Sequence, residues 1–189
     1  NKFFDECKIN YAENCLTRYE DDDVIIFHSE KKIKRNYSWR KLRSAVFKFA
    51  NYLKNNNIEK NDRIAAILPN IPETVISFLS TAQLGAIWSS CSSDFGKKAI
   101  IDRFKQIEPK VLLFSDYYFY NNKKVDTTKV IKDVIYNIPS IEKIILIPYE
   151  FNETDYQLDF EYDNLYNILL QEIEYSKFEK FNFNHPLYC

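Results

Sequence analysis

Small polar side chains crowd into one stretch of the chain, Gly85–Gly96, which contains both glycines of the sequence and the run Ser92-Ser93-Asp94. Glycine takes positive φ freely and lets a backbone or a ligand approach closely. Five small polar residues between Trp88 and Phe95 favour a turn that presents N–H groups and hydroxyls to a ligand. An ordinary loop between a strand and a helix is the alternative, and these residues alone leave both interpretations open.

The remaining reactive side chains have no catalytic partner nearby in the sequence. His28 lies within an apolar run and His185 precedes a proline, so both are interpreted as structural histidines. The four cysteines are widely separated and lack the spacing of a zinc site or a disulfide framework. Cys91 is interpreted as a small buried residue in a tight turn rather than a reactive thiol.

Composition excludes several classes of function. The 189 residues are 46% hydrophobic and 28% charged, as expected for a globular domain or part of one, and the formal net charge of −1 gives no basic surface for nucleic acid. Neither a signal peptide nor a long apolar run is present, so we expect no membrane partner and a cytoplasmic location with reduced thiols. Because the chain lacks methionine and ends on an apolar run, we expect it to be part of a longer protein.

The polar stretch lies within a series of predicted helices and short apolar strands. The pattern predicts a small N-terminal helix and hairpin region, then a helix that begins after Ser38, then alternating strands and helices. The third predicted helix carries an apolar stripe of Val75, Phe78, Leu79 and Ala82, and Glu150–Glu161 is interpreted as a surface insertion. This alternation predicts an α/β fold with a mostly parallel sheet and crossover helices.

Six landmarks, in this order and spacing, resemble the adenylate-forming acyl-CoA synthetases. They are Asn10-Tyr11-Ala12-Glu13-Asn14, Tyr37-Ser38-Trp39, Asn61-Asp62-Arg63-Ile64-Ala65, Leu68-Pro69-Asn70-Ile71-Pro72-Glu73, Gly85–Gly96 and Asp102–Lys110. The first and fourth are general to the short-chain branch of that family. The last two are similar to the ligases of acetoacetate in particular, and the resemblance covers essentially the whole chain.

The resemblance implies an ATP-dependent ligase that joins acetoacetate to coenzyme A, with ATP, Mg²⁺ and CoA as the ligands of the full-length protein. It also implies that residues 1–189 are an incomplete N-terminal portion of the AMP-binding domain, with a short family-specific segment at about 1–20. The Ser/Thr/Gly-rich phosphate loop of the family is not found among these residues. We therefore expect no catalytic residue and no metal ligand here, and no adenylation by this chain alone.

The resemblance also implies where coenzyme A would lie. The loop matching Ser92, Ser93 and Asp94 lies beside the CoA nucleotide, and the turn that ends in Lys123 helps to hold the 3′-phosphate. The sequence departs from the family at Asn122, which replaces a glycine, and at Tyr120, which stands where acetate relatives carry arginine. Asparagine tolerates the left-handed conformation, so the turn can persist. A solvated turn lysine is the alternative interpretation of Lys123.

Three other functions stay open at this point. One is a ligase for another short acid of the acetate or propionate type. Another is a non-catalytic α/β binding module, and the third is a stand-alone nucleotide-binding protein, which the missing phosphate loop disfavours. The oligomeric state is not specified by the sequence.

Overall fold

Helices and short strands alternate along the chain, as the sequence predicts. A computed structural model describes residues 3–153, 156–172 and 177–189. The elements in chain order are β1 (Lys8–Ile9), α1 (Tyr11–Cys15), β2 (Asp23–His28), β3 (Lys34–Ser38), α2 (Trp39–Asn55), β4 (Arg63–Ile67), α3 (Pro72–Gln83), β5 (Ile87–Cys91), α4 (Lys97–Lys105), β6 (Val111–Ser115), β7 (Tyr117–Tyr120), β8 (Lys123–Asp126), α5 (Thr128–Asn137), β9 (Lys143–Ile147), β10 (Asp163–Asn164), α6 (Leu165–Leu170) and β11 (Phe181–Asn182).

A parallel sheet of five strands, in the order β10-β9-β6-β4-β5, lies at the centre. The strands β4, β6 and β9 are buried on both faces over most of their length, which explains their apolar sequences. On one face Ala66 and Leu113 pack against Phe49 of α2, together with residues of α6. On the other face Ile67 and Phe114 pack against α4 and α5. The predicted α/β fold with a parallel sheet and crossover helices is therefore confirmed.

The helix α2 begins and ends where its sequence signals predict. The Ser38 side chain accepts a hydrogen bond from the N–H of Lys41 and so caps the first turn. After the last turn, Asn57 adopts the left-handed conformation with φ of 60°, which asparagine tolerates better than most residues. Strands β2 and β3 form the predicted antiparallel hairpin just before this helix.

The predicted apolar stripe of α3 is wrong at Val75, which is 40% exposed. The helix packs against α1, α2 and β5, and it buries polar residues that the stripe omits, among them Ser80 and Thr81. Their hydroxyls donate to carbonyl oxygens one turn earlier in the same helix, at 2.8 Å in both cases. Because both hydroxyls have an acceptor, Ser80 and Thr81 can lie inside at little cost.

The two glycines of Gly85–Gly96 have different environments. Gly85 has φ of +67°, and a Cβ atom there would lie 2.7 Å from the Phe181 ring. His185 stacks on that same ring, and its Nε2 lies 2.7 Å from the Gly85 carbonyl oxygen, which confirms the structural interpretation of His185. Gly96 has φ of −65°, and no described residue lies within 4 Å of a would-be Cβ atom. A close approach within the protein is therefore confirmed at Gly85, and the approach of a ligand at Gly96 stays a prediction.

The segment Glu150–Glu161, interpreted from sequence as a surface insertion, packs in part against the core. Tyr156, Leu158 and Phe160 contact the cluster on the α4–α5 face of the sheet. The Phe160 ring lies edge-on to Phe114, with centroids 6.1 Å apart. Positions 154 and 155 of the segment lie outside the described residues. Among the described residues, none of the helices is long and apolar enough to cross a membrane.

Candidate functional site

The carboxyl ends of the parallel strands meet along one edge of the sheet. The chain passes from β4 to β5 on one side, then crosses back to place β6 on the other side of β4. Such a reversal opens a crevice between the strand ends, where ligands bind in open α/β sheets. The predicted ligand loop Ser92–Gly96 follows β5, and the predicted lysine turn follows β6 at the same edge.

The loop Ser92–Gly96 is mostly exposed and short. Within the loop, the N–H of Phe95 donates to the Ser92 carbonyl oxygen at 3.2 Å, and this hydrogen bond closes a turn over Ser93 and Asp94. The Oγ atom of Ser93 is buried and makes no hydrogen bond in the described part of the chain. A buried hydroxyl without a partner is uncommon. This loop therefore has an open hydrogen-bonding group, as a ligand-contacting turn requires.

The lysine turn joins β7 to β8 as a two-residue hairpin. Asn121 and Asn122 have φ of 48° and 60°, and Tyr120 pairs with Lys123 across the turn. Two left-handed residues in succession define the turn type that matches the twist of a hairpin. The turn expected at Tyr120–Lys123 is present, and Asn122 adopts in it the left-handed conformation that glycine takes freely. The hairpin itself was not predicted.

The two faces of this hairpin have different neighbours. Tyr117 and Phe119 pack on Tyr149, with ring centroids 5.3 and 5.5 Å away. Lys124 lies on this packed side, with its Nζ atom 3.6 Å from the Tyr117 ring centroid. Because side chains alternate between faces, Lys123 belongs to the opposite face. Lys123 is exposed, and no described residue forms an ion pair with it.

The open face of the hairpin carries Tyr118 and Lys123. The pKa of Tyr118 is raised first by burial and then by the negative charge of Asp94 in the serine loop. The loop Ser92–Asp94 follows β5 and the hairpin follows β6, so both lie at the carboxyl edge of the parallel sheet. The structure gives no direct contact between Lys123 and Ser92, Ser93 or Asp94.

Two polar groups at this edge were missed in the sequence. Asp116 directly follows β6 and is buried, and it accepts hydrogen bonds from the N–H groups of Tyr117 and Tyr149 at 2.9 and 2.8 Å. The Tyr156 hydroxyl also donates to it, at 2.6 Å. A carboxylate directly after a buried strand was the available signal. Because Asp116 joins three segments, it fixes the edge around the hairpin.

The second missed group is the pair Glu73 and Arg35. Arg35 Nη1 lies 2.7 Å from Glu73 Oε1, and the Tyr37 hydroxyl donates to the same oxygen at 2.7 Å. Burial raises the pKa of Glu73, although Arg35 and Tyr37 oppose that shift. Arg35 also donates to the Tyr149 carbonyl oxygen at 3.2 Å. This pair holds the β2–β3 hairpin against the carboxyl edge of the sheet.

The cysteines and acidic residues give no sign of catalytic or metal chemistry. Burial raises the pKa of the Cys91 thiol to about 11, so it stays protonated at neutral pH as a structural cysteine would. All four cysteines are unpaired. Within the ranges that the structure describes, no group of three His, Cys, Asp or Glu side chains could hold a metal ion.

A family model described as "AMP-binding enzyme" matches residues 12–168 of the chain. The chain belongs to the AMP-binding enzyme family. Among curated AMP-binding relatives, the acetoacetyl-CoA synthetase of Xenopus tropicalis is 32% identical over 99% of this chain and 29% of its own length. The acetoacetyl-coenzyme A synthetase of Rhizobium meliloti (strain 1021) is 39% identical over 78% of this chain and 22% of its own length.

The same fold is found in a solved AMP-binding structure. Acetoacetyl-CoA synthetase from Streptomyces lividans aligns with 96% of this chain at a TM-score of 0.87 and 31% identity, over 28% of its own length. This chain therefore spans under a third of the length of these relatives, and its α/β sheet is the one found in that part of the AMP-binding fold.

Proposed function

We propose that this chain is the N-terminal part of the AMP-binding domain of an acetoacetate–CoA ligase. The full-length protein would convert acetoacetate, ATP and CoA to acetoacetyl-CoA, AMP and pyrophosphate through an acyl-adenylate. The observation that carries this proposal is the similarity to relatives named acetoacetyl-CoA synthetase over 99% of the chain. The solved neighbour with the same name and a TM-score of 0.87 supports it.

In such a reaction the acetoacetate carboxylate attacks the α-phosphorus of ATP and pyrophosphate leaves. The CoA thiol then attacks the activated carbonyl carbon, and AMP leaves as the better leaving group. Mg²⁺ supplies charge neutralisation at the phosphates when it is bound. The residues of this chain would position the CoA nucleotide, and the groups that activate ATP would come from the rest of the protein.

The phosphate loop is proposed to follow Cys189. The residues Leu187–Cys189 run parallel to β5: Trp88 N–H donates to the Leu187 carbonyl oxygen at 3.1 Å, and Cys189 N–H donates to the Trp88 carbonyl oxygen at 2.9 Å. A strand in this register would end beside Ser92. Sequencing the gene beyond Cys189 tests this, with a Ser/Thr/Gly-rich loop expected within about ten residues. A stop codon directly after Cys189 would contradict the proposal.

The substrate is tested on the full-length protein by pyrophosphate release. We expect release that depends on acetoacetate, with acetate giving at most a small rate. Equal or faster release with acetate would assign the protein to another short acid instead. The 189 residues alone are expected to release no pyrophosphate with either acid, because they contain two glycines and no phosphate cradle.

Lys123 and the loop Ser92-Ser93-Asp94 are proposed to contact coenzyme A. The residues fit such a ligand: within the described ranges Lys123 has no ion-pair partner and the buried Ser93 Oγ makes no hydrogen bond, and both follow strands at the carboxyl edge of the sheet. In the full-length ligase, Lys123→Ala should raise the KM for CoA about tenfold, as expected for loss of one charge-assisted contact. Acetoacetate-dependent exchange of labelled pyrophosphate into ATP should stay unchanged.

Lys124→Ala is the matched control for Lys123→Ala. It removes the same charge from the adjacent position, but from the side of the hairpin that packs on Tyr149, where Lys124 Nζ lies over the Tyr117 ring. We expect a KM for CoA close to that of the parent protein. An equal rise in both variants, or no rise in Lys123→Ala, would remove Lys123 from the CoA site.

A further inference from the structure

The turn that carries Lys123 is held from outside its own hairpin. The backbone N–H of Asn122 donates to Glu30 Oε2 at 2.7 Å, across 92 residues of sequence. A two-residue turn leaves this N–H outside the strand ladder, so it is available to an acceptor beyond the hairpin. An ionised carboxylate is a strong one, because charge-assisted hydrogen bonds are shorter and stronger than neutral ones.

The loop that presents Glu30 is itself braced. Ser29 Oγ accepts from the N–H groups of Lys31 and Ile33 at 3.2 and 3.1 Å. The Ser29 N–H donates to the Ile33 carbonyl oxygen at 2.9 Å, which closes the loop between β2 and β3. Lys31 Nζ lies 5.6 Å from the Phe119 ring centroid on β7. The loop therefore contacts the β7–β8 hairpin at two points, the Asn122 turn and the Phe119 ring.

The β2–β3 hairpin is in turn fixed to the sheet. Arg35 forms the buried ion pair with Glu73, and its guanidinium lies 5.0 and 5.6 Å from the ring centroids of Phe27 and Phe151. Arg35 thus anchors the β2–β3 hairpin, and the loop of that hairpin presents Glu30 to the N–H of Asn122. Asn122 directly precedes Lys123.

We propose that Glu30 is a positioning residue for coenzyme A, whose carboxylate fixes the Asn122 turn so that Lys123 points toward the 3′-phosphate. This inference rests on the proposed function. Glu30 acts through the turn and not on the ligand. Its side chain is acidic, so direct contact with a phosphate would repel that ligand.

The test uses the full-length ligase with saturating ATP and acetoacetate. Glu30→Ala should raise the KM for CoA about fivefold, as expected for loss of one hydrogen bond, with kcat and pyrophosphate–ATP exchange unchanged. Glu30→Gln should restore the parent KM, because its amide oxygen also accepts from the Asn122 N–H. With dephospho-CoA, which lacks the 3′-phosphate, Glu30→Ala and the parent protein should have similar KM values.

Two results would overturn this role. One is an unchanged KM for CoA in Glu30→Ala. The other is a lowered KM in both Glu30→Ala and Glu30→Gln, which would mean that the carboxylate competes with the phosphate for the turn. Should Glu30→Ala fail to fold, Glu30→Asp takes its place, since it keeps the charge but shortens the reach and should give the same rise.

Two comparisons separate this inference from the proposed function. Absence of acetoacetate-dependent exchange in the parent protein overturns both. Normal exchange, with a raised KM in Lys123→Ala but not in Glu30→Ala, overturns the role of Glu30 alone. Glu59→Gln is the control, because this exposed glutamate precedes β4 at the opposite edge of the sheet and should leave the KM unchanged.

Discussion

At the scale of single residues, position 85 requires glycine for two separate reasons. Its φ of +67° is strained for any residue with a Cβ atom, and the Phe181 ring occupies the space where that atom would lie. The ring cannot move freely, because it is buried and stacks on His185. Gly96, only eleven residues later, meets neither requirement. The backbone and the Phe181 ring therefore require glycine at position 85, and neither reason applies at position 96.

Gly85→Ala is expected to lower the free energy of unfolding by about 2–4 kcal/mol, the sum of a left-handed alanine and an overpacked ring. Gly96→Ala should change it by at most about 1 kcal/mol, since its φ of −65° suits alanine. Urea unfolding followed by the fluorescence of Trp39 and Trp88 measures both values. Equal losses in the two variants would show that the Phe181 contact does not limit position 85.

At the scale of elements, hydrophobic periodicity predicted α2, and a continuous apolar run predicted β4. The predicted stripe of α3 was wrong at Val75, which is exposed, and it omitted Ser80 and Thr81, which are buried and donate to the backbone of the same helix. The β7–β8 hairpin was missed because its turn is Asn121-Asn122 and its strands have four residues each. Only the resemblance pointed to Lys123 within it. Asp116 left only the signal of a carboxylate directly after a buried strand, and the contact of Glu30 with Asn122, 92 residues away, leaves no local pattern.

The element that most affects the site is the β2–β3 hairpin, which is held by the Arg35–Glu73 pair. Glu73 is fully buried and its Oε2 atom has no hydrogen bond in the described ranges. Removing one member of a buried pair leaves an uncompensated charge, at a cost of about 3–5 kcal/mol. Removing both members together avoids that cost in part.

Arg35→Met should therefore destabilise the chain by about 3 kcal/mol or more, and Glu73→Gln should restore part of that loss in the double variant. Urea unfolding of the parent chain, the two single variants and the double variant gives the coupling free energy between Arg35 and Glu73. The exposed pair of Asp21 and Arg40 is the comparison, and Asp21→Asn should cost less than about 1 kcal/mol. Additive losses at positions 35 and 73 would mean that the two residues stabilise the hairpin independently.

At the scale of the whole molecule, four tyrosine hydroxyls each donate to a carboxylate in another part of the chain. The pairs are Tyr37 with Glu73, Tyr52 with Asp163, Tyr117 with Glu150 and Tyr156 with Asp116, at 2.5–2.7 Å. Burial is the largest cause of the raised pKa of each phenol, and the partner carboxylate adds to it. Together these pairs join the N-terminal hairpin to α3, α2 to β10, Glu150 to β7, and Tyr156 to the residue that follows β6.

These pairs make the folded chain sensitive to alkali. In the unfolded chain a tyrosine ionises near pH 10, whereas in the folded chain the raised pKa keeps the phenol protonated. The folded state then binds more protons, so the stabilisation is complete below pH 10 and is lost as pH rises above it. Each phenol contributes at most about 1.4 kcal/mol per pH unit, and less where water screens it.

The midpoint of urea unfolding should therefore fall between pH 8 and pH 11. Tyr156→Phe should reduce the slope of the midpoint against pH. Tyr136→Phe should not, because the Tyr136 ring is 87% exposed. Equal slopes in the parent chain and Tyr156→Phe would mean that the Tyr156–Asp116 hydrogen bond does not hold this phenol protonated.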